Sequence, residues 1–302
     1  MSRPIETPTS PTAANRLKWI GMVIGVTLLI AAIAVTVSQR QTLMQARAAI
    51  QQMPAERLAM LAGLIVLTVI ANVFLTGLMF SMLISRYGRV GRIEMQALIA
   101  ASTLLNYLPV RAGMLGRVAY HRAYNDIPLR HSAKAIVQAV ALSGISVACL
   151  GGAILLSRQS QVSLWIACAI PLAAAAACAL VPTLRIWMGA GIVRYVELLL
   201  NAVRYWAAFA LIGSPIPAEG AIAFACLSAL TTMVPFLSNG LGLREWAVGL
   251  ALPLLTTYQM ELGITADLVN RAAEMVVAIP LGVLGMSIVA RLRRAQPTRG
   301  HI

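Results

Sequence analysis

Apolar runs long enough to cross a bilayer recur along this chain, at about 19–37, 58–84, 133–157, 163–181, 194–213 and 268–290. An α-helix rises 1.5 Å per residue, so about 20 apolar residues cover the hydrocarbon core of a membrane. Lipid offers no hydrogen bonds, so each run must satisfy its own backbone as a helix. The sequence therefore predicts an all-α polytopic transmembrane helical bundle. Composition agrees, with 59% hydrophobic and only 11% charged residues among 302. No polar segment between the runs exceeds about 25 residues, well below the roughly 40 that a small domain needs, so chemistry on a separate soluble domain is excluded.

Charge then orients the bundle. The 24 Lys and Arg against 10 Asp and Glu give a net charge of +14, which in a membrane chain marks cytoplasmic loops beside anionic headgroups and not a nucleic-acid partner. Arg3, Arg16 and Lys18 precede the first run, and Arg86, Arg89 and Arg92 follow the second. Arg111, Arg117, Arg122, Arg130 and Lys134 cluster before the third, and Arg291, Arg293, Arg294 and Arg299 lie near the C-terminus. These positions predict a multi-pass protein of the cell membrane, the bacterial cytoplasmic membrane, with both termini cytoplasmic. Glu219 and the pair Glu261 and Asp267 fall in short outer loops, while a loop at 38–57 with Arg40, Arg47 and Arg57 runs against the scheme. The division is a disordered cytoplasmic tail at 1–18, rich in Pro, Thr and Ser, a single transmembrane domain at 19–290, and a basic cytoplasmic tail at 291–302. The run at 19–37 is too long for a signal-peptide core and reads as a retained helix.

Two further apolar stretches do not fit as simple spans. Met95–Leu108 is short and ends in AsnTyrLeuPro (106–109), and Ala221–Thr256 is broken at 235–242 by ProPheLeuSerAsnGlyLeuGly. A full crossing by the first would carry the basic 111–134 stretch to the outer face, which a re-entrant hairpin avoids. The second is long enough for a hairpin entering from the opposite face. Pro removes a backbone donor and Gly tolerates positive φ, so each break ends one half-helix and lets another begin. Non-helical backbone at membrane depth is tolerated only around a protein-lined or water-filled site. Paired interruptions in two halves point to a transporter-type site and to an inverted repeat.

The residues at the breaks suit an anionic headgroup. New helix N-termini present unpaired N–H groups, and Arg117 and Arg244 can bind phosphate through a bidentate fork. The candidate substrate-binding residues are Asn106, Pro109, Arg111, Gly113 and Arg117 at the first break and Pro235, Asn239, Gly240, Gly242, Arg244 and Glu245 at the second, with Arg271 beyond it. Adjacent helix residues do not share a face, so Glu245 is expected to pair with Arg271 and not with Arg244. The four cysteines sit inside apolar runs, and His121, His131 and His301 lack metal-ligand spacing, so no metal or other cofactor is expected.

The segments LeuProValArgAlaGly…GlyArg (108–117) with Ile127–Ala135, and ValPro…AsnGlyLeuGlyLeuArgGlu (234–245) with Asn270 and Arg271, resemble the lysylphosphatidylglycerol synthase transmembrane region, a flippase-like family of integral membrane proteins. The resemblance extends more weakly over about 15–292. It implies a multi-span protein that moves aminoacylated phospholipids or other lipid-linked polar headgroups between leaflets. Met114 stands where the family commonly has Glu after the glycine of the first motif. The resemblance does not extend to the large soluble C-terminal domain of the aminoacyltransferase members, so synthase activity is not expected.

The expected function is thus a non-enzymatic lipid translocase acting on a phosphate-bearing or lipid-linked headgroup, with an anionic phospholipid or polyprenyl-linked lipid as its partner. Two other classes compete: an intramembrane lipid-modifying enzyme, for which Glu245 and Glu274 are the placed carboxylates, and a non-catalytic membrane partner of a glycosyltransferase or lipid-synthesis enzyme. Product formation marks the enzyme, flipping without headgroup change the translocase, and neither the partner.

Overall fold

The structure is a computed structural model describing residues 23, 26–34, 37, 38, 40–107, 112–160, 162–234 and 238–295. The described residues form helices with no strand, as the apolar runs require. After a helical segment at 26–34, the elements are α1 (Arg40–Gln52), α2 (Ala55–Ile84), α3 (Arg92–Leu105), α4 (Ala112–Tyr124), α5 (Leu129–Ser160), α6 (Leu164–Cys178), α7 (Arg185–Leu211), α8 (Ala218–Met233), a 3-10 turn (Ser238–Gly240), α9 (Leu243–Leu255) and α10 (Met260–Ala295). Helices α2, α5, α7 and α10 are long and apolar enough to cross a membrane. Their outward faces carry bare apolar side chains such as Leu67, Ile145 and Val276, as lipid solvation demands.

Four expectations need adjusting. The 38–57 segment, expected as a loop, carries helix α1 over Arg40–Gln52 and the start of α2, and its Ala49 methyl lies near Gly213 just past the end of α7. The 163–181 run yields only the 15 residues of α6, with Pro171 inside it. Asp267 does not lie in an outer loop: α10 begins at Met260, so Asp267 is two turns into the helix and fully buried. Helix α10 also continues through Ala295, past the 290 boundary.

Lipid gives helices no hydrophobic reason to associate, so close packing of small residues holds them together. Helices α2 and α7 share the most extensive contact, where Leu61 and Ile65 lie on the alanine face Ala207, Ala208 and Ala210. Helices α3 and α10 come next, with Gly285 so close that an added Cβ would meet the Ala97 carbonyl at 2.5 Å. Gly263 and Gly249 do the same between α10 and α9, at 2.9 Å.

Helix α10 serves as a ruler for the whole bundle. Near its start Gly263 meets α9, at its middle Asp267 and Glu274 meet α7 and α9, near its end Gly285 meets α3, and Arg293 stacks on Tyr120 and Tyr124 of α4. The α8–α9 hairpin therefore occupies one half of the bundle and the α3–α4 hairpin the other. They enter from opposite ends, and their tips meet beside the middle of α10.

Candidate functional site

Each hairpin tip is closed by its own residues. Asn106 ends α3 through its backbone N–H, and its side-chain Oδ1 accepts the Met114 N–H at 3.0 Å, occupying one of the free donors in the first turn of α4. Ser102 Oγ donates to the Gly113 carbonyl at 3.0 Å. At the second tip Gly240 (φ 67°), Gly242 (φ 76°) and Asn239 (φ 48°) turn the chain through backbone that favours glycine or asparagine. Pro109, Arg111 and Pro235 lie outside the described residues.

Beside the tips is a buried ionic network. Arg244, 2% exposed, donates through Nε to Asp267 Oδ2 at 2.9 Å and through Nη1 to both oxygens of Glu274 at 3.0 Å. Arg204 donates to Glu274 Oε1 at 2.6 Å and to Asn201 Oδ1 at 2.7 Å. Tyr205 donates to Asp267 Oδ1 at 2.6 Å, and Tyr107 to Glu274 Oε2 at 3.3 Å. The expected pairing of Arg271 with Glu245 is present. A turn away, Arg194 binds Glu197 at 2.7 Å, Glu197 accepts from Thr76 at 2.8 Å, and Arg194 donates to Ser143 at 2.6 Å. These charges tolerate burial because each arginine faces a carboxylate.

The network borders a polar cavity of two lobes, about 240 Å³ and 270 Å³. Thr76, Thr103, Asn106, Arg194, Thr232 and Asn239 line both, so the lobes share a wall made from both hairpin tips, α2 and α7. Each lobe is roomy and polar enough for several waters. The first reaches Arg204, Arg244 and Glu274; the second reaches Met114 and Arg117. Arg117 is 9% exposed, with its guanidinium 3.8 Å from the centroid of the Phe80 ring and no ion pair or hydrogen bond among the described residues. Val73 borders both the first lobe and an outer apolar groove of about 830 Å³ between α2, α3 and α10.

The candidates from sequence thus divide. Asn106, Arg117, Asn239 and Arg244 line the cavity. Gly113, Gly240 and Gly242 shape the tips, while Glu245 and Arg271 pair behind the wall. The fork of Arg244 is engaged by Asp267 and Glu274, leaving Nη2 without a partner among the described residues. Sequence reasoning missed Arg194, Glu197, Asn201 and Arg204. Their spacing of three, four and three residues is a polar stripe along one face of an apolar helix, and Asp267, Asn270, Arg271 and Glu274 repeat it on α10.

No family model, curated protein or solved structure matches the chain.

Proposed function

We propose that this chain is a flippase-like lipid translocase that holds a phosphate-bearing or lipid-linked polar headgroup between its hairpin tips. One observation carries the reading: the two half-length hairpins meet at a polar cavity lined by Arg117, a buried cation with no carboxylate partner among the described residues. Such a charge in an apolar bundle calls for an anion. The tips also put discontinuous helices at mid-bundle, the arrangement that transporters use for their sites. The apolar groove that shares Val73 with the cavity gives an acyl or prenyl tail somewhere to remain while the headgroup is inside.

The orientation belongs to the same proposal. Arg86, Arg89, Arg92, Arg130, Lys134, Arg291 and Arg294 gather at the end of the bundle where α2 and α10 finish, whereas at the other Glu56, Glu219 and Glu261 offset Arg47, Arg57 and Arg158. The basic end is the cytoplasmic one.

The test is a dithionite-quenching assay in vesicles containing the purified protein and nitrobenzoxadiazole-labelled phosphatidylglycerol. Protein-bearing vesicles lose the inner-leaflet fluorescence that protein-free vesicles protect, and Arg117→Ala slows that loss by about tenfold, the loss of one charge-assisted hydrogen bond. Identical traces with and without protein sink the reading, and a change in lipid mass during the assay redirects it to a lipid-modifying enzyme.

A further inference from the structure

The charges around the cavity balance in one lobe and not in the other. In the first lobe Arg194 faces Glu197, while Arg204 and Arg244 face Glu274 and Asp267, so three cations meet three carboxylates. What that lobe leaves unspent is of both kinds: Asn72 Oδ1 and Glu197 Oε2 are buried without a donor, and Arg204 Nε and Arg244 Nη2 without an acceptor, among the described residues. The second lobe shares Arg194, already matched by Glu197, and adds Arg117 without a carboxylate among the described residues; Met114, three residues earlier and lining the same lobe, supplies none on that helix face. The cavity is therefore singly positive at one end, while the other is balanced in charge and offers free acceptors and free donors side by side.

From this asymmetry we infer that the headgroup is a singly charged phosphodiester with a neutral, hydroxyl-bearing terminus, its phosphate on Arg117 and its hydroxyls toward Asn72 and Glu197. This rests on the reading of the cavity as a headgroup site. A phosphodiester carries one negative charge, which Arg117 neutralises. A phosphomonoester or diphosphate brings a second charge into a region whose remaining cations are already matched, where an unmatched buried charge is costly. A zwitterionic headgroup places an ammonium beside a network that is already neutral. A hydroxyl both donates and accepts, so such groups serve Asn72 and Glu197 as donors and Arg204 and Arg244 as acceptors, and they add no charge. The shared wall at Thr103 and Asn106 joins the lobes, so one headgroup can reach both ends.

The experiment is native mass spectrometry of the full chain in detergent with an equimolar mixture of dioleoyl phosphatidylglycerol, phosphatidylethanolamine and phosphatidic acid. Wild-type protein is expected to retain the glycerol lipid at least about tenfold over either of the others, the factor that a charge-assisted hydrogen bond provides. Met114→Glu gives Arg117 an internal partner and is expected to erase that preference. Arg117→Lys keeps the charge and the preference. Asn72→Leu lowers retention of phosphatidylglycerol relative to phosphatidic acid. A melting curve for each variant separates lost selectivity from lost folding. Equal retention of the three lipids, a preference for phosphatidic acid or phosphatidylethanolamine, or no retention at all overturns the inference. Flipping without headgroup preference leaves the translocase reading standing and removes this one. Selective retention without flipping does the reverse.

Discussion

Glu274 on α10 receives Nη1 of Arg244 on α9 at 3.0 Å from each carboxylate oxygen, so a half-length hairpin is tied to the longest helix through a buried charge pair. Glu274 also accepts from Arg204, which joins α7 to the same point. Glu274→Gln leaves two buried guanidinium groups short of charge and is expected to cost about 3–5 kcal/mol, read as a large drop in melting temperature in detergent. Adding Arg204→Gln is expected to cost less than the sum of the two single changes, because both remove parts of one network.

The α3–α4 turn predicts a contrast between two glycines of one helix. A Cβ on Gly113 would sit 2.7 Å from Asn106 Oδ1 and from Ser102 Cα, whereas one on Gly116 meets nothing within 4 Å. Gly113→Ala is expected to destabilise by about 1–3 kcal/mol through overpacking, and Gly116→Ala to stay within about 0.5 kcal/mol. Paired denaturation curves check both.

At the other tip the backbone itself discriminates. Gly242 has φ 76° and ψ −49°, in a strained region, and Asn239 has φ 48° and ψ 35°, in the left-handed one. Gly242→Ala is expected to cost at least about 1–2 kcal/mol. Asn239→Gly leaves the turn intact, so any lowering of lipid retention by that variant reports the side chain in the cavity wall and not the fold.

Orientation is checked by cysteine labelling in a background lacking the four native cysteines. Arg130→Cys and Gln259→Cys are both exposed positions at opposite ends of the bundle. An impermeant maleimide added outside intact cells is expected to label Gln259→Cys and to reach Arg130→Cys only after lysis. The reverse pattern inverts the proposed topology.

The two broken hairpins were legible because Pro and Gly interrupt runs that are otherwise continuously apolar, and the acid-base pair Glu245 and Arg271 followed from helix geometry. The stripe on α7 was not, because a span drawn by average hydropathy absorbs Arg194, Glu197, Asn201 and Arg204 among their apolar neighbours. Asp267 was misplaced for a related reason. Counting the last span from its first purely apolar stretch put Asp267 outside, although it is helical and matched by Arg244 and Tyr205. A charge that has a partner inside does not mark the end of a helix. The lone state of Arg117 could not be read from sequence at all, since it depends on which carboxylates the other helices spend elsewhere.

The contacts of α10 also set an order of events during synthesis. The α3–α4 hairpin leaves the ribosome long before Gly282 and Gly285, against which it packs, have been made. At about 5–20 residues per second the interval is on the order of ten seconds. During that time the hairpin has only α2, α5 and α7 to pack against, and Arg244 and Glu245 likewise precede Asp267, Arg271 and Glu274. A stop codon ahead of α10 therefore deprives both hairpins at once of the helix on which their tips meet.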